Sequence, residues 1–275
     1  MRKLIYDDTG QGWAWHMLYG TSKVLEVLTA ENCRTGAGRE LFLEIRVFEI
    51  ARSMLFGQRS FLSTTPWLDL VDSLWQGEHI RDWNPKERLL DIMTLVSDLA
   101  TDYIKSETPS SFNVEAVTKL QAYVDEGQIL RSHLSSWQLI AQQWPSTSSA
   151  DHQMDIAWIF YSAISIYLSG IYDYEPIWKN HFAPPSLQPT QVQDHVDSIL
   201  SVTSAALDQT NITPLLFLFP LRIAGARTRT VQQQMEIKAL LSRIKNDFRI
   251  ASAFSSELDN LWGSAPTVWS ERAGG

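Results

Sequence analysis

Residues 85–103 read Pro85-Lys86-Glu87-Arg88-Leu89-Leu90-Asp91-Ile92-Met93-Thr94-Leu95-Val96-Ser97-Asp98-Leu99-Ala100-Thr101-Asp102-Tyr103. Apolar side chains fall at Leu89, Ile92, Met93, Val96, Leu99, Ala100 and Tyr103. Steps of three and four place these on one face of a helix, with Asp91, Asp98 and Asp102 on the other side. Asn84 stands where a cap belongs. Pro85 opens the first turn, where a backbone N–H is not needed. The stretch predicts an amphipathic helix, and its period recurs along the chain.

Leu41, Ile45, Phe48 and Leu55 make a stripe after the Gly36-Ala37-Gly38 break, with Glu49 three residues from both Arg46 and Arg52. Such pairs add only tenths of a kcal/mol on an exposed helix. Val114–Trp144 is a long helical segment with Gly127 as a candidate interruption. Ile156–Tyr172 carries no charge and is apolar nearly all round, which predicts the most buried helix. Further stripes run from Val192 to Leu207 and from Ile237 to Phe248. The breaks at Thr64-Thr65-Pro66, Thr108-Pro109, Pro145–Ser149 and Ala183–Pro189 are short, and no alternating strand pattern is sustained. The expected fold is all-α: one helical domain over residues 1–275, of about nine to eleven helices, with no sheet.

Composition bounds the function. Of 275 residues, 44% are apolar and 20% charged, and the net charge is −8. An acidic chain is a poor nucleic-acid binder through its overall field. The charge is uneven: residues 69–126 hold twelve acids and five bases, and Arg222–Arg249 hold seven bases and two acids. The basic run is expected to be solvated, or to dock the acidic region or a partner. One cysteine, Cys33, allows no internal disulfide and no cysteine-rich zinc site; its expected role is that of a small apolar residue. Met1-Arg2-Lys3 is followed by too short an apolar run for a signal peptide. Ile156–Tyr172 is shorter than the roughly 20 residues a spanning helix needs. An intracellular protein with no membrane contact is expected.

Motifs for chemistry are sparse. Asp151 and Asp155 share a helix face around His152, a spacing that suits Mg²⁺ or Zn²⁺, but acids are also ordinary in a first helical turn. Asn246-Asp247 resembles the start of the second metal motif of class I terpene cyclases, which then needs a hydroxyl and a glutamate where Ile250 and Phe254 stand. His16, His79, His133, His152, His181 and His195 form no metal-binding spacing, and no nucleophile elbow or phosphate loop occurs. No metal and no cofactor is expected.

Two stretches carry a family resemblance. One is Arg39-Glu40-Leu41-Phe42-Leu43-Glu44-Ile45-Arg46, running through Ala51-Arg52-Ser53-Met54-Leu55-Phe56-Gly57 to Phe61-Leu62 and Pro66-Trp67. The other is Phe219-Pro220-Leu221-Arg222-Ile223-Ala224-Gly225-Ala226, followed by a charged helix and Leu261-Trp262. With Trp13, His16 and Gly20 ahead of Leu25 and Leu28, the chain resembles the fungal-specific transcription factor domain, second type. That is the helical regulatory region downstream of a fungal binuclear zinc cluster. The cluster itself needs six thiolates for two zinc ions, and Cys33 is the only cysteine in these residues.

The resemblance implies a regulatory or ligand-sensing role in the nucleus, with the cytoplasm as the alternative location, without a DNA-binding domain of its own and tied to a secondary-metabolite gene cluster. The implied partners are a small apolar ligand and a second copy or a full-length factor, with no direct DNA binding. The chain is then either a piece of a longer regulator or a free-standing body. The alternative is a cofactor-independent enzyme of secondary metabolism, a cyclase, pericyclase or isomerase, that reuses the helical body as a shaped cage. In that reading His16, Arg46, Tyr161, Tyr172 and Arg222 would orient the reactant. In either reading Trp158, Tyr161, Phe219 and Arg222 are the expected pocket residues. A third possibility is a pure interaction scaffold with an exposed apolar patch.

Overall fold

The computed structural model describes residues 11–76, 85–106, 113–144, 152–174, 176–209 and 212–264. Side chains of residues 11–18 lie outside that description, as do Asn84 and Asp151 entirely. Among the described residues eleven α-helical segments follow in the order α1 Gln11–Asn32, α2 Gly36–Phe56, α3 Thr65–Leu74, α4 Pro85–Lys105, α5 Val114–Gln142, α6 His152–Asp173, α7 Pro176–His181, α8 Pro189–Gln209, α9 Leu218–Gly225, α10 Val231–Asp247 and α11 Ala251–Ser264. Short 3-10 turns stand at Phe61–Ser63 and Pro214–Phe217. No strand occurs among the described residues, so the fold is all-α as expected.

The amphipathic stretch that starts at Pro85 forms α4. Leu89, Leu90, Ile92, Met93, Val96, Leu99 and Ala100 are all buried. Beside it lies α6, buried along nearly its whole length from Ile156 to Tyr172. It packs against α4, α5, α8 and α9, as an all-round apolar helix must. Length and composition would let α6 cross a membrane, but 67% of its apolar window is covered by other helices. One cluster of buried side chains runs from Leu25 to Leu258, with Cys33 inside it.

Helix α5 passes through Gly127 without a break. A Cβ there would meet the Tyr172 hydroxyl at 2.2 Å and Pro185 Cγ at 3.0 Å, so the glycine lets α6 and the Ala183–Pro189 segment approach α5. Gly225 does the same for α9 and α11, where a Cβ would meet Leu258 Cδ1 at 2.6 Å. Pro220 sits within the first turn of α9. The break in α1 is at Thr29, held at φ 62° and ψ 155°, a conformation that L side chains rarely adopt.

Helix α2 departs from expectation. Its buried face carries Phe42, Arg46, Glu49, Ile50 and Ser53, whereas Leu41 is exposed and Ile45, Phe48 and Leu55 are only partly covered. The true stripe includes charged residues, which an apolar pattern does not register. The basic run also differs from one of its expected roles. Arg222 pairs with Glu257, Arg227 with Asp173, Lys238 with Asp259 and Arg243 with Asp208, and none of these acids belongs to residues 69–126.

Candidate functional site

Helix α2 points Arg46 into the interior because its neighbours on that face, Phe42 and Ile50, are core residues. Its side chain is 2% exposed. A guanidinium there needs acceptors, and α4 supplies them from its first two turns. Nε and Nη2 donate to Glu87 Oε2 at 3.0 and 2.8 Å, Nη2 donates to the Glu87 carbonyl at 2.8 Å, and Nη1 donates to Asp91 Oδ1 at 2.8 Å. Four of the five N–H groups of the side chain are thereby used. Asp91, expected on the solvent side, is turned inward and 12% exposed. Its Oδ2 also accepts from Trp75 Nε1 at 2.9 Å, and Arg88 Nη1 lies 3.5 Å away. Lys86 stands 3.0 Å from Glu87.

Burial pushes the Asp91 carboxyl up, against the pull of Arg46, Arg88 and the Trp75 hydrogen bond. Burial also works against the Arg46 charge, but Asp91 and Glu87 more than offset it and hold the guanidinium above its usual value.

Arg46 and Asp91 of this network form the floor of a groove of about 450 Å³, within the size range of small-molecule sites. Four helices line it at helical spacing: Phe42 and Arg46 from α2, Leu68, Val71 and Asp72 from α3, Arg88, Asp91, Ile92 and Leu95 from α4, and His133, Ser136, Trp137 and Ile140 from α5. Leu68, Leu95 and Ile140 form an exposed apolar rim, and Ile140 is 52% exposed.

Trp137 joins the groove to a second cluster. Its Nε1 donates to the Pro85 carbonyl at 2.8 Å. Its ring stacks on Tyr161 at 5.2 Å between centroids, with Trp158 edge-on at the same distance. The Tyr161 hydroxyl donates to Gln138 Oε1 at 2.8 Å. Behind Tyr161, His195 Nδ1 lies 3.3 Å from Ser162 Oγ, and burial pulls that imidazole down to about 4. Burial likewise lowers the nearby Arg131 to about 10, although it donates to the Ser165 and Pro185 carbonyls.

Of the residues singled out in the sequence, Arg46 lines the groove, and Tyr161 and Trp158 stand one ring behind its wall. Tyr172 lies elsewhere, donating to the Tyr123 carbonyl at 2.7 Å and packing edge-on against Trp178. Phe219 is buried in α9, and Arg222 pairs with Glu257. The side chain of His16 lies outside the described residues, although its backbone belongs to α1. Asp155 pairs with His152 at 3.6 Å. Among the described residues no group of three or more His, Cys, Asp or Glu could hold a metal ion. Sequence reading missed Glu87, Asp91, His133 and Ser136. The only signal it offered was their spacing of three and four from apolar residues.

The described residues form an all-helical body with a groove lined by apolar side chains and buried charges. The chain belongs to the fungal specific transcription factor domain family, whose model matches residues 7–273, and membership supports a regulatory role in transcription. No curated protein and no solved structure matches the chain.

Proposed function

We propose that this chain is a ligand-sensing regulatory domain, in which the groove between α2, α3, α4 and α5 takes a small molecule and the helical body relays its presence to transcription. The observation that carries the reading is an open, largely apolar groove floored by buried charges, in a member of a transcription-regulator family. With one cysteine among these residues, the zinc cluster that would read DNA must come from a partner chain or from a longer form of the protein. The site of action is the nucleus, and the genes under control are those of a secondary-metabolite cluster.

The test is a strain lacking the gene, with neighbouring transcripts counted and metabolites profiled in the same cultures. The strain is then complemented with the native gene or with Leu95→Glu or Ile140→Glu at the groove rim. Regulation by a ligand predicts that neighbouring transcripts fall together, that the native gene restores them, and that the rim variants do not. Full restoration by both rim variants would overturn ligand control. Steady transcripts with one accumulating intermediate would overturn regulation and favour the enzyme, with Arg46 and Tyr161 as its orienting groups.

A further inference from the structure

The charges around the groove decide what it can hold. Two lining side chains are positive, Arg46 and Arg88, and two are negative, Asp72 and Asp91. Arg46 and Asp91 are bonded to each other at 2.8 Å, and Arg88 leans on Asp91 at 3.5 Å. Such paired charges present little net field to an occupant. An anion would face Asp72 and Asp91 and a cation Arg46 and Arg88, and either would lose its hydration without a counter-charge in return.

Hydrogen-bonding capacity is left over at one level. One Nη1 hydrogen of Arg46 has no acceptor among the bonds it makes. Arg88, half exposed and loosely held, can also donate. His133 and Ser136 face these groups from α5. Helices α4 and α5 run antiparallel, because Trp137 Nε1 bonds the Pro85 carbonyl while the Tyr123 hydroxyl bonds that of Asp102. His133 and Ser136 are therefore level with Arg88 and Asp91. Leu95 comes four residues after Asp91, and Ile140 four after Ser136. At about 1.5 Å per residue each lies about 6 Å beyond the polar level, and the antiparallel run puts them at opposite ends. Leu95 and Ile140 thus stand on either side of the polar level, with the Phe42 and Trp137 rings in the walls of the groove.

Building on the proposed ligand-sensing role, we infer that the groove takes an uncharged, flat, ring-containing molecule that carries a hydroxyl or carbonyl oxygen at the middle of its long edge. Arg46 Nη1 and Arg88 donate to that oxygen, and the ring ends lie against Leu95 and Ile140.

Four fluorescent anthracenes test this with the purified chain. 9-Anthracenemethanol has a neutral oxygen at mid-edge, 2-anthracenemethanol moves it to one end, and anthracene-9-carboxylate and 9-anthracenylmethylammonium carry opposite charges at mid-edge. The mid-edge alcohol should bind at least tenfold tighter than either ion and at least threefold tighter than its end-substituted isomer. Leu95→Glu and Ile140→Glu should each weaken it at least tenfold. Circular dichroism and a thermal melt check the fold of both variants, and Ile140→Glu, the more exposed site, decides if the other is unstable. An ion that binds as tightly as the alcohol, with the same rim sensitivity, overturns the neutral class while leaving the ligand-sensing role intact. So does an end-substituted isomer that binds equally well. Rim variants that leave binding of all four probes unchanged overturn the groove as a ligand site, and the ligand-sensing role with it.

Discussion

Arg46→Met removes the guanidinium that bonds both Glu87 and Asp91. The two carboxylates keep only 7% and 12% of their side-chain exposure, so water cannot take over from the guanidinium. Breaking a buried ion pair from one side costs about 3–5 kcal/mol. Lys86 at 3.0 Å from Glu87, and Trp75 at 2.9 Å from Asp91, retain part of the stabilisation, which places this case near 3–4 kcal/mol. For a chain of this size that lowers Tm by about 6–15 °C. Urea denaturation at pH 7 followed by circular dichroism measures the loss. The pH dependence has a definite sign. Burial already pushes the Asp91 carboxyl up against the pull of Arg46, so without Arg46 it rises further; the variant keeps its stability in acid and loses it as pH rises through the folded value. The gap between variant and native chain should widen from acid to neutral pH. Arg46→Met combined with Glu87→Gln and Asp91→Asn should recover at least half of the loss. A deficit below about 1 kcal/mol at pH 7, the size of an exposed pair, would refute the reasoning. So would a gap that does not change with pH.

Three further outcomes are expected. Gly127→Ala should destabilise by about 1–3 kcal/mol despite the better helix propensity of alanine, because its Cβ would meet the Tyr172 hydroxyl at 2.2 Å; adding Tyr172→Phe should return part of the loss in a double-mutant cycle. His195, held neutral down to about 4 in the fold against about 6.5 unfolded, contributes stability that is complete above the unfolded value and lost as pH falls towards 4. Denaturation at pH 7 and pH 5 should therefore differ by about 1–2 kcal/mol more in the native chain than in His195→Asn. Thr29→Gly should stabilise by about 1 kcal/mol, because φ 62° with ψ 155° suits only glycine and the exposed threonine gives up little contact; an unchanged or lower Tm would count against strain there.

What the sequence made legible follows from one physical rule. Burial was readable where it is driven by apolar surface. The stripe of α4 and the all-round apolarity of α6 therefore placed both helices in the core with nearly correct ends. It was not readable on α2, whose most buried face includes Arg46, Glu49 and Arg52. Their burial depends on acceptors and donors that the local sequence does not announce. The partners of Arg46 lie 41 and 45 residues away, and the Ser22 hydroxyl that reaches Glu49 comes from another helix. The groove was hidden for the same reason. No helix contributes more than a few lining residues, and on each helix these border a core stripe that reads as ordinary packing.

Of the three buried charges on α2, Arg46 and Glu49 stand about one turn apart, and they differ in how far they are satisfied. Glu49 accepts from Arg52 Nε at 2.7 Å and Nη2 at 2.8 Å, from Ser60 Oγ at 2.7 Å and from the Ser22 hydroxyl. Four bonds fill the lone-pair positions of a carboxylate, so nothing remains to offer a ligand. Arg52 ties this network to Gln58 and lies over the Tyr19 ring, which fastens α1 and the Phe61–Ser63 turn to α2. Glu49 therefore acts as a structural pin. Arg46 bonds as strongly but not to saturation, and it lines the groove. Burial and pairing alone do not separate the two; the unused donor does, and the residue that carries it lines the groove between the four helices, whereas Glu49 does not.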